Sequence, residues 1–176
     1  MKLPVLITCT ALLIACQQTT KSADNTSNSP IQVAGNEDYE LYCNERFDHC
    51  IEYPKGFTGS GVSQNGDGES FFSSDKKTEI SFSGSNFMDE YNTLETSYSF
   101  VLKNYGNVTY KSKKDKYFVV SGTKEINGEA FIFYRKTIYK YTEEVGEVLL
   151  TWEITYPSAQ KTTYDAYCKK INEDFK

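Results

Sequence analysis

The sequence predicts an α+β fold: an antiparallel β-sheet flanked by two helices, after a short apolar leader and a flexible linker. Three observations predict it. Short alternating segments rich in Val, Ile, Phe and Tyr are separated by turn residues, as in antiparallel strands. Two other stretches repeat apolar residues at helical spacing, and the order is strands, helix, strands, helix rather than a regular alternation. The 14 Tyr, 11 Phe and one Trp all fall at or beyond Tyr39, so the large apolar side chains that build a core belong to that part of the chain.

The leader comes first. Lys2 is followed by Leu3 to Ala15, a run of 13 residues that is apolar apart from two threonines and Cys9. As a helix it reaches about 20 Å at ~1.5 Å per residue. A bilayer core of ~30 Å needs about 20 residues, so the run suits a signal peptide and is too short to span. It closes on Leu13-Ile14-Ala15-Cys16, which resembles the lipobox of bacterial lipoproteins. The resemblance implies diacylglycerol on the Cys16 sulfur, cleavage after Ala15 and acylation of the new amino group. Cys9 follows Thr8 and has too short an apolar run before it to compete. Residues 1–15 are thus the signal peptide, and membrane attachment runs through Cys16. Several acyl chains on one cysteine, at ~0.8 kcal/mol per buried methylene, make a stable anchor. Gln17 rather than Asp follows Cys16; in a cell with two membranes the usual sorting rule then implies the outer membrane, facing the periplasm, with the inner membrane or the cell surface as the alternatives.

Residues 16–38 read as the lipidated cysteine and a tether. The stretch is rich in Ser, Thr, Asn and Gln, has no aromatic residue, and cannot offset the entropy of ordering.

Residues 39–176 form the folded domain. A hairpin over residues 41–53 turns at Arg46-Phe47, with Phe47, His49, Ile51 and Tyr53 on one face and Asp48, Cys50 and Glu52 on the other. Pro54 and Gly56 stop it. After a Gly, Ser and Asn loop (62–68), Ser70–Ser74 and Thr78–Ser83 form two strands. Asn86 caps a helix with Asp89 at N3, in which Met88, Tyr91, Leu94, Tyr98, Val101, Leu102 and Tyr105 recur at helical spacing and Gly106 is the stop. Strands over Val108–Lys111, Tyr117–Thr123, Glu129–Tyr141 and Val148–Tyr156 follow, joined in part by Asn127-Gly128, a strong hairpin signal. Pro157 and Ser158 open a last helix with Tyr164, Tyr167, Cys168, Ile171 and Phe175 on its face.

Several phrases resemble the PsbP/DcrB-like fold: Ile51-Glu52-Tyr53-Pro54-Lys55-Gly56-Phe57, Tyr117-Phe118-Val119-Val120-Ser121-Gly122, Phe133-Tyr134-Arg135-Lys136, Ile154-Thr155-Tyr156-Pro157, and the terminal helix ending in Phe175. The resemblance spans about residues 41–175. It implies a sheet-and-helix module used for protein contacts, and it brings no catalytic residues.

Three cysteines remain in the body, and export places them in an oxidising space. Across the hairpin, 43 faces 50, within disulfide reach, so Cys43 and Cys50 are expected to bridge. Cys168 is expected as a small buried hydrophobe, with a bridge to the hairpin as the alternative. No catalytic residue, cofactor site or metal site is assigned. His49 is the only histidine, Asp48 points to the opposite face of a strand, and no Gly-x-Ser-x-Gly turn is present. Asn65–Glu69 lacks two carboxylates of a calcium loop. Lys111, Lys113, Lys114 and Lys116 make a basic run, and Glu143, Glu144 and Glu147 an acidic tip. The formal charge of −5 argues against nucleic-acid binding. The expected function is that of a non-catalytic, membrane-anchored envelope module that binds a protein partner, in a narrower version an immunity protein against an envelope-targeting toxin. The alternatives are a carrier of a small apolar ligand and a carboxylate-dependent envelope hydrolase.

Overall fold

The computed structural model describes residues 38–88 and 90–176. The expected signal peptide, the acylated Cys16 and the tether lie outside the described residues, apart from Asp38. The body begins with a separate hairpin, β1 (Tyr39–Asn44) and β2 (His49–Pro54). It continues through β3 (Thr58–Gly59), β4 (Gly68–Phe72), β5 (Glu79–Asn86), α1 (Leu94–Asn104), β6 (Asn107–Lys113), β7 (Tyr117–Ile126), β8 (Glu129–Thr142), β9 (Gly146–Pro157) and α2 (Lys161–Asp174). Strands β3 to β9 form one antiparallel sheet in the order β3-β4-β5-β9-β8-β7-β6.

The turns carry the register. Asn127 and Gly128 both take positive φ, 52° and 79°, which places the two-residue loop where the right-handed twist of β7 and β8 requires it. At the next turn Gly146 has φ 78°, and the Thr142 hydroxyl accepts a bond from the Val145 N–H at 3.1 Å. Strand β9 is central and buried on both faces. Val148, Leu150, Trp152, Ile154 and Tyr156 enter one cluster with Ile80, Phe82, Phe71 and Ile138. Leu149 enters a second with Phe118, Val120 and Phe133.

Each face has its own cover. On the first, α2 delivers Tyr167, Cys168, Ile171 and Phe175. Beside it the β1–β2 hairpin delivers Phe47 and Ile51, with Tyr53 stacking on Phe71 and Tyr42 meeting it edge-to-face. On the second, α1 delivers Leu94 and Val101 over β7 and β8.

Two expectations are corrected. The fold is more strand-rich than an α+β sheet flanked by two helices: strands hold 52% and helices 20% of the described residues. The cause is that β8 and β9 run for 14 and 12 residues, and that a β-hairpin takes up part of the face assigned to helix. The first helix also starts later than Asn86. Asn86 and Ser85 instead extend β5 by pairing with Val148 and Leu149. Met88 and Asn92 form a bridge, Glu90 sits at φ 72°, and helix begins only after Thr93. Thr93 and Thr96 then exchange side-chain-to-backbone bonds in a capping box. Met88 and Tyr91, expected on the buried face, are exposed.

One contact that seats the hairpin lies at its turn. Phe47 is fully buried in the β1–β2 loop, and its ring lies where a Cβ on Gly84 of β5 would stand, 2.2 Å from the nearest ring carbon. Only glycine leaves room there. Gly84→Ala is expected to lift the hairpin and lower stability by about 1–3 kcal/mol. Chemical denaturation checks this, with Gly128→Ala as the comparison: it too is strained, but no atom lies within 4 Å of its added Cβ.

Candidate functional site

The expected bridge is in place: Cys43 and Cys50 face each other in the β1–β2 register and are joined by a disulfide. Cys168 is free and buried, and burial pushes its thiol up to about 12, which keeps it protonated and inert.

His49 follows the hairpin loop and turns inward. Its ring stacks on Phe82, with centroids 5.8 Å apart, and meets the edge of Phe175 at 5.1 Å. Burial, then the Lys140 charge, pulls its pKa down to about 4, against a smaller opposing pull from Asp48. Nε2 has no hydrogen-bond partner. Among the described residues no serine or carboxylate hydrogen-bonds the ring, so its surroundings are those of a neutral core aromatic.

The most enclosed ion pair lies on the other face of the sheet. Arg135 of β8 donates to Glu153 of β9 at 3.1 Å and to the Tyr105 hydroxyl at 2.9 Å, and that hydroxyl donates to Glu153 at 3.0 Å. The guanidinium also lies 5.5 Å from the Tyr105 ring centre. Burial, then the Glu153 charge, raises the Tyr105 pKa. Each member bonds the other two, so this triad ties α1's end to the sheet, although the buried Arg135 Nε–H has no partner.

The surface clusters singled out from sequence are engaged only in part. Lys113 pairs with Glu95, and Lys111 and Lys114 are exposed on the β6–β7 hairpin. Glu147 accepts a hydrogen bond from the Tyr139 hydroxyl, while Glu143 and Glu144 are exposed. In the 63–69 loop, Asp67 pairs with Arg46 and takes a bond from Asn65. Among the described residues no three His, Cys, Asp or Glu side chains come together as a metal site. The aromatic excess is chiefly core: Trp152, Tyr156 and Tyr167 are buried, Tyr134 and Tyr139 are half-buried, and Tyr141 is exposed.

Two grooves open beside the end of α2, on either side of Phe175. One, about 250 Å³, runs along the hairpin past Leu41, Cys50, Ile51, Glu52 and Ile171. The other, about 400 Å³, is walled by Tyr117, Ile138 and Phe175 and bordered by Lys116, Lys136 and Lys176. Lys136 is the residue the sequence reading missed as a site candidate. It is only 4% exposed, in the middle of β8. Its ammonium donates one bond, to the Asn172 carbonyl in the last turn of α2 at 2.7 Å, and lies 5.3 Å from the Tyr117 ring centre. A usable signal existed: Arg135 and Lys136 are adjacent cations inside a long apolar strand, so they must point to opposite faces of a sheet covered on both.

No protein-family model matches the chain, and no curated protein matches it. Among solved structures it is similar to LpqN, described as involved in cell envelope biogenesis of Mycobacterium tuberculosis. The TM-score is 0.45 and the identity 11%, over 74% of this chain and 79% of that one. The match does not single out the PsbP/DcrB-like fold.

The depressed His49 value sets a pH dependence. The folded pKa lies below the unfolded one, so between about pH 6.5 and 4 the unfolded chain binds the extra proton. His49 therefore makes stability fall as pH drops through that window. His49→Phe, which keeps the ring contacts, is expected to flatten the slope of unfolding free energy between pH 6.5 and 4, measured by urea titration. A second outcome follows from the Arg135 triad. Glu153→Ala leaves the enclosed guanidinium without its anion and is expected to cost about 2–4 kcal/mol by the same measurement, somewhat below a fully buried pair.

Proposed function

We propose that this chain is a non-catalytic lipoprotein of the bacterial cell envelope, held to the membrane through Cys16 and acting as a binding module for another envelope protein. The observation that carries the reading is Leu13-Ile14-Ala15-Cys16 at the end of a 13-residue apolar run. The Cys43–Cys50 disulfide agrees with it, because such bonds persist outside the reducing cytoplasm. Among the described residues no helix is long and apolar enough to cross a membrane.

The absence of an assembled catalytic set among the described residues favours binding over turnover. The lone histidine is packed among phenylalanines, Glu153 is committed to Arg135 and Tyr105, and Asp67 to Arg46. The excess of acidic side chains, 24 against 19 basic, favours a basic partner. Neutralisation of a basic toxin aimed at wall or membrane is the narrower form of the proposal.

Fractionation of cells expressing the parent and Cys16→Ser is the test. The parent is expected in the membrane fraction, resistant to high salt, and the variant in the soluble fraction or unprocessed at its higher mass. A variant that remains membrane-bound and processed like the parent defeats the anchoring claim. Crosslinking in intact cells followed by purification under denaturing conditions then tests the binding claim: one stoichiometric envelope partner is expected, and none in any growth phase removes it.

A further inference from the structure

The groove at the end of α2 has a composition that the binding-module reading leaves unused. Three lysines converge on it, and none joins any ion pair among the described residues. Lys116 and Lys176 are exposed at its rim, where water solvates their charge. Lys136 is different. Its side chain is almost wholly withdrawn from solvent, and an ammonium offers three donors, of which one is taken by the Asn172 carbonyl. The face of Tyr117 attracts the charge but accepts no proton. Burial of a cation without an anion costs several kcal/mol, which proteins normally offset by pairing. Arg135, one residue away on the same strand, has that pairing in Glu153. Burial and then the Lys176 charge lower the Lys136 pKa.

The walls complete the description. Tyr117, Ile138 and Phe175 line the groove beside the ammonium. A pocket with an apolar wall and one well-placed polar group is the usual form of a small-molecule site. The carbonyl of Asn172 orients the ammonium without neutralising it.

We propose that this groove binds a monomeric anionic amphiphile: its carboxylate or phosphate head on Lys136, assisted by Lys116 and Lys176, and its apolar body along Tyr117, Ile138 and Phe175. The site lies wholly within the described body and does not depend on acylation of Cys16. Loss of the anchor and loss of this site are therefore separable results.

The probe is sodium dodecanoate below its micelle concentration, titrated by calorimetry into the full chain carrying Cys16→Ser and purified without detergent. Dodecanol and dodecyltrimethylammonium serve as neutral and cationic probes of equal chain length. One dodecanoate is expected per chain, bound at least tenfold more tightly than either. Lys136→Met, which keeps the length and removes the charge, is expected to abolish that preference. The double variant Lys116→Ala/Lys176→Ala changes only exposed side chains and is expected to weaken dodecanoate about three- to tenfold, which keeps the proposal testable should Lys136→Met fail to fold. Vesicles of phosphatidylglycerol, with phosphatidylcholine as control, distinguish a bilayer surface from a free amphiphile. The proposal is overturned if dodecanoate does not bind, if dodecanol binds as well, or if the lysine variants leave its affinity unchanged. It is equally overturned if only phosphatidylglycerol vesicles capture the chain, since the lysines would then read a surface.

Discussion

The apolar face of the sheet is wider than one helix can cover, and much of the structure is arranged around that shortfall. Seven strands at ~4.8 Å span about 29 Å, whereas a helix with its side chains is ~10–12 Å across. Helix α2 therefore shelters roughly two strands, and its rings reach Trp152 and Tyr156 of β9. The exposed remainder, Phe71, Ile80 and Phe82 on β4 and β5, needs another cover, and the β1–β2 hairpin supplies it. A lone two-stranded hairpin is marginal in water. Here the disulfide closes its end, Phe47 drops onto Gly84, and its far strand is tied to α2. The Tyr167 hydroxyl donates to the Glu52 carbonyl at 2.8 Å, Lys170 pairs with Glu52 at 2.6 Å, and Tyr39 stacks on Tyr167. Hairpin and helix thus form one continuous cover, each holding the other's edge.

That arrangement explains which parts of the fold were legible. Where a local signal and a tertiary need agree, the elements appear at their expected places. Asn127-Gly128 forces the β7–β8 turn, and Cys43 opposite Cys50 fixes the hairpin register. Where they conflict, tertiary pairing decides. Asn86 is a good helix cap in isolation, and Met88 and Tyr91 fall at helical spacing with Leu94. Yet β9 runs back past Leu149 and Val148 to Gly146, and leaving those residues unpaired would expose backbone groups, so Ser85 and Asn86 stay in the sheet. The Thr93–Thr96 box, present in the sequence, was the better helix signal. The overestimate of helix has the same origin. Composition shows that a face must be covered, but whether helix or hairpin covers it depends on which element the chain brings alongside.

The site was less legible than the fold, because chemistry at a groove depends on what is missing around a residue. Sequence shows Lys136 beside Arg135 but not that Glu153 reaches only one of them. Strand alternation sends the two cations to opposite faces. Across β9, the residue opposite Arg135 is Glu153, while the residue opposite Lys136 is Trp152. The register therefore separates a cation that faces a carboxylate from one that faces an indole. The exposed lysines of the β6–β7 hairpin drew attention by their density, yet Lys113 is paired and Lys111 and Lys114 face water.

The contrast between the two cations bears on what such a residue is for. If Lys136 served only to cap the last turn of α2, a neutral donor would do so without the cost of burying charge, and an exposed lysine could reach a helix end more cheaply. Placing an amine against an aromatic ring, near Lys176 and in no ion pair among the described residues, concentrates positive potential where the apolar wall begins. In a low-dielectric groove that potential acts with less screening than at the rim. An anion entering there gains the pairing that the fold withholds, and its apolar part gains the wall. The fold thus leaves unfilled on one face of β8 the complement that it supplies from β9 on the other.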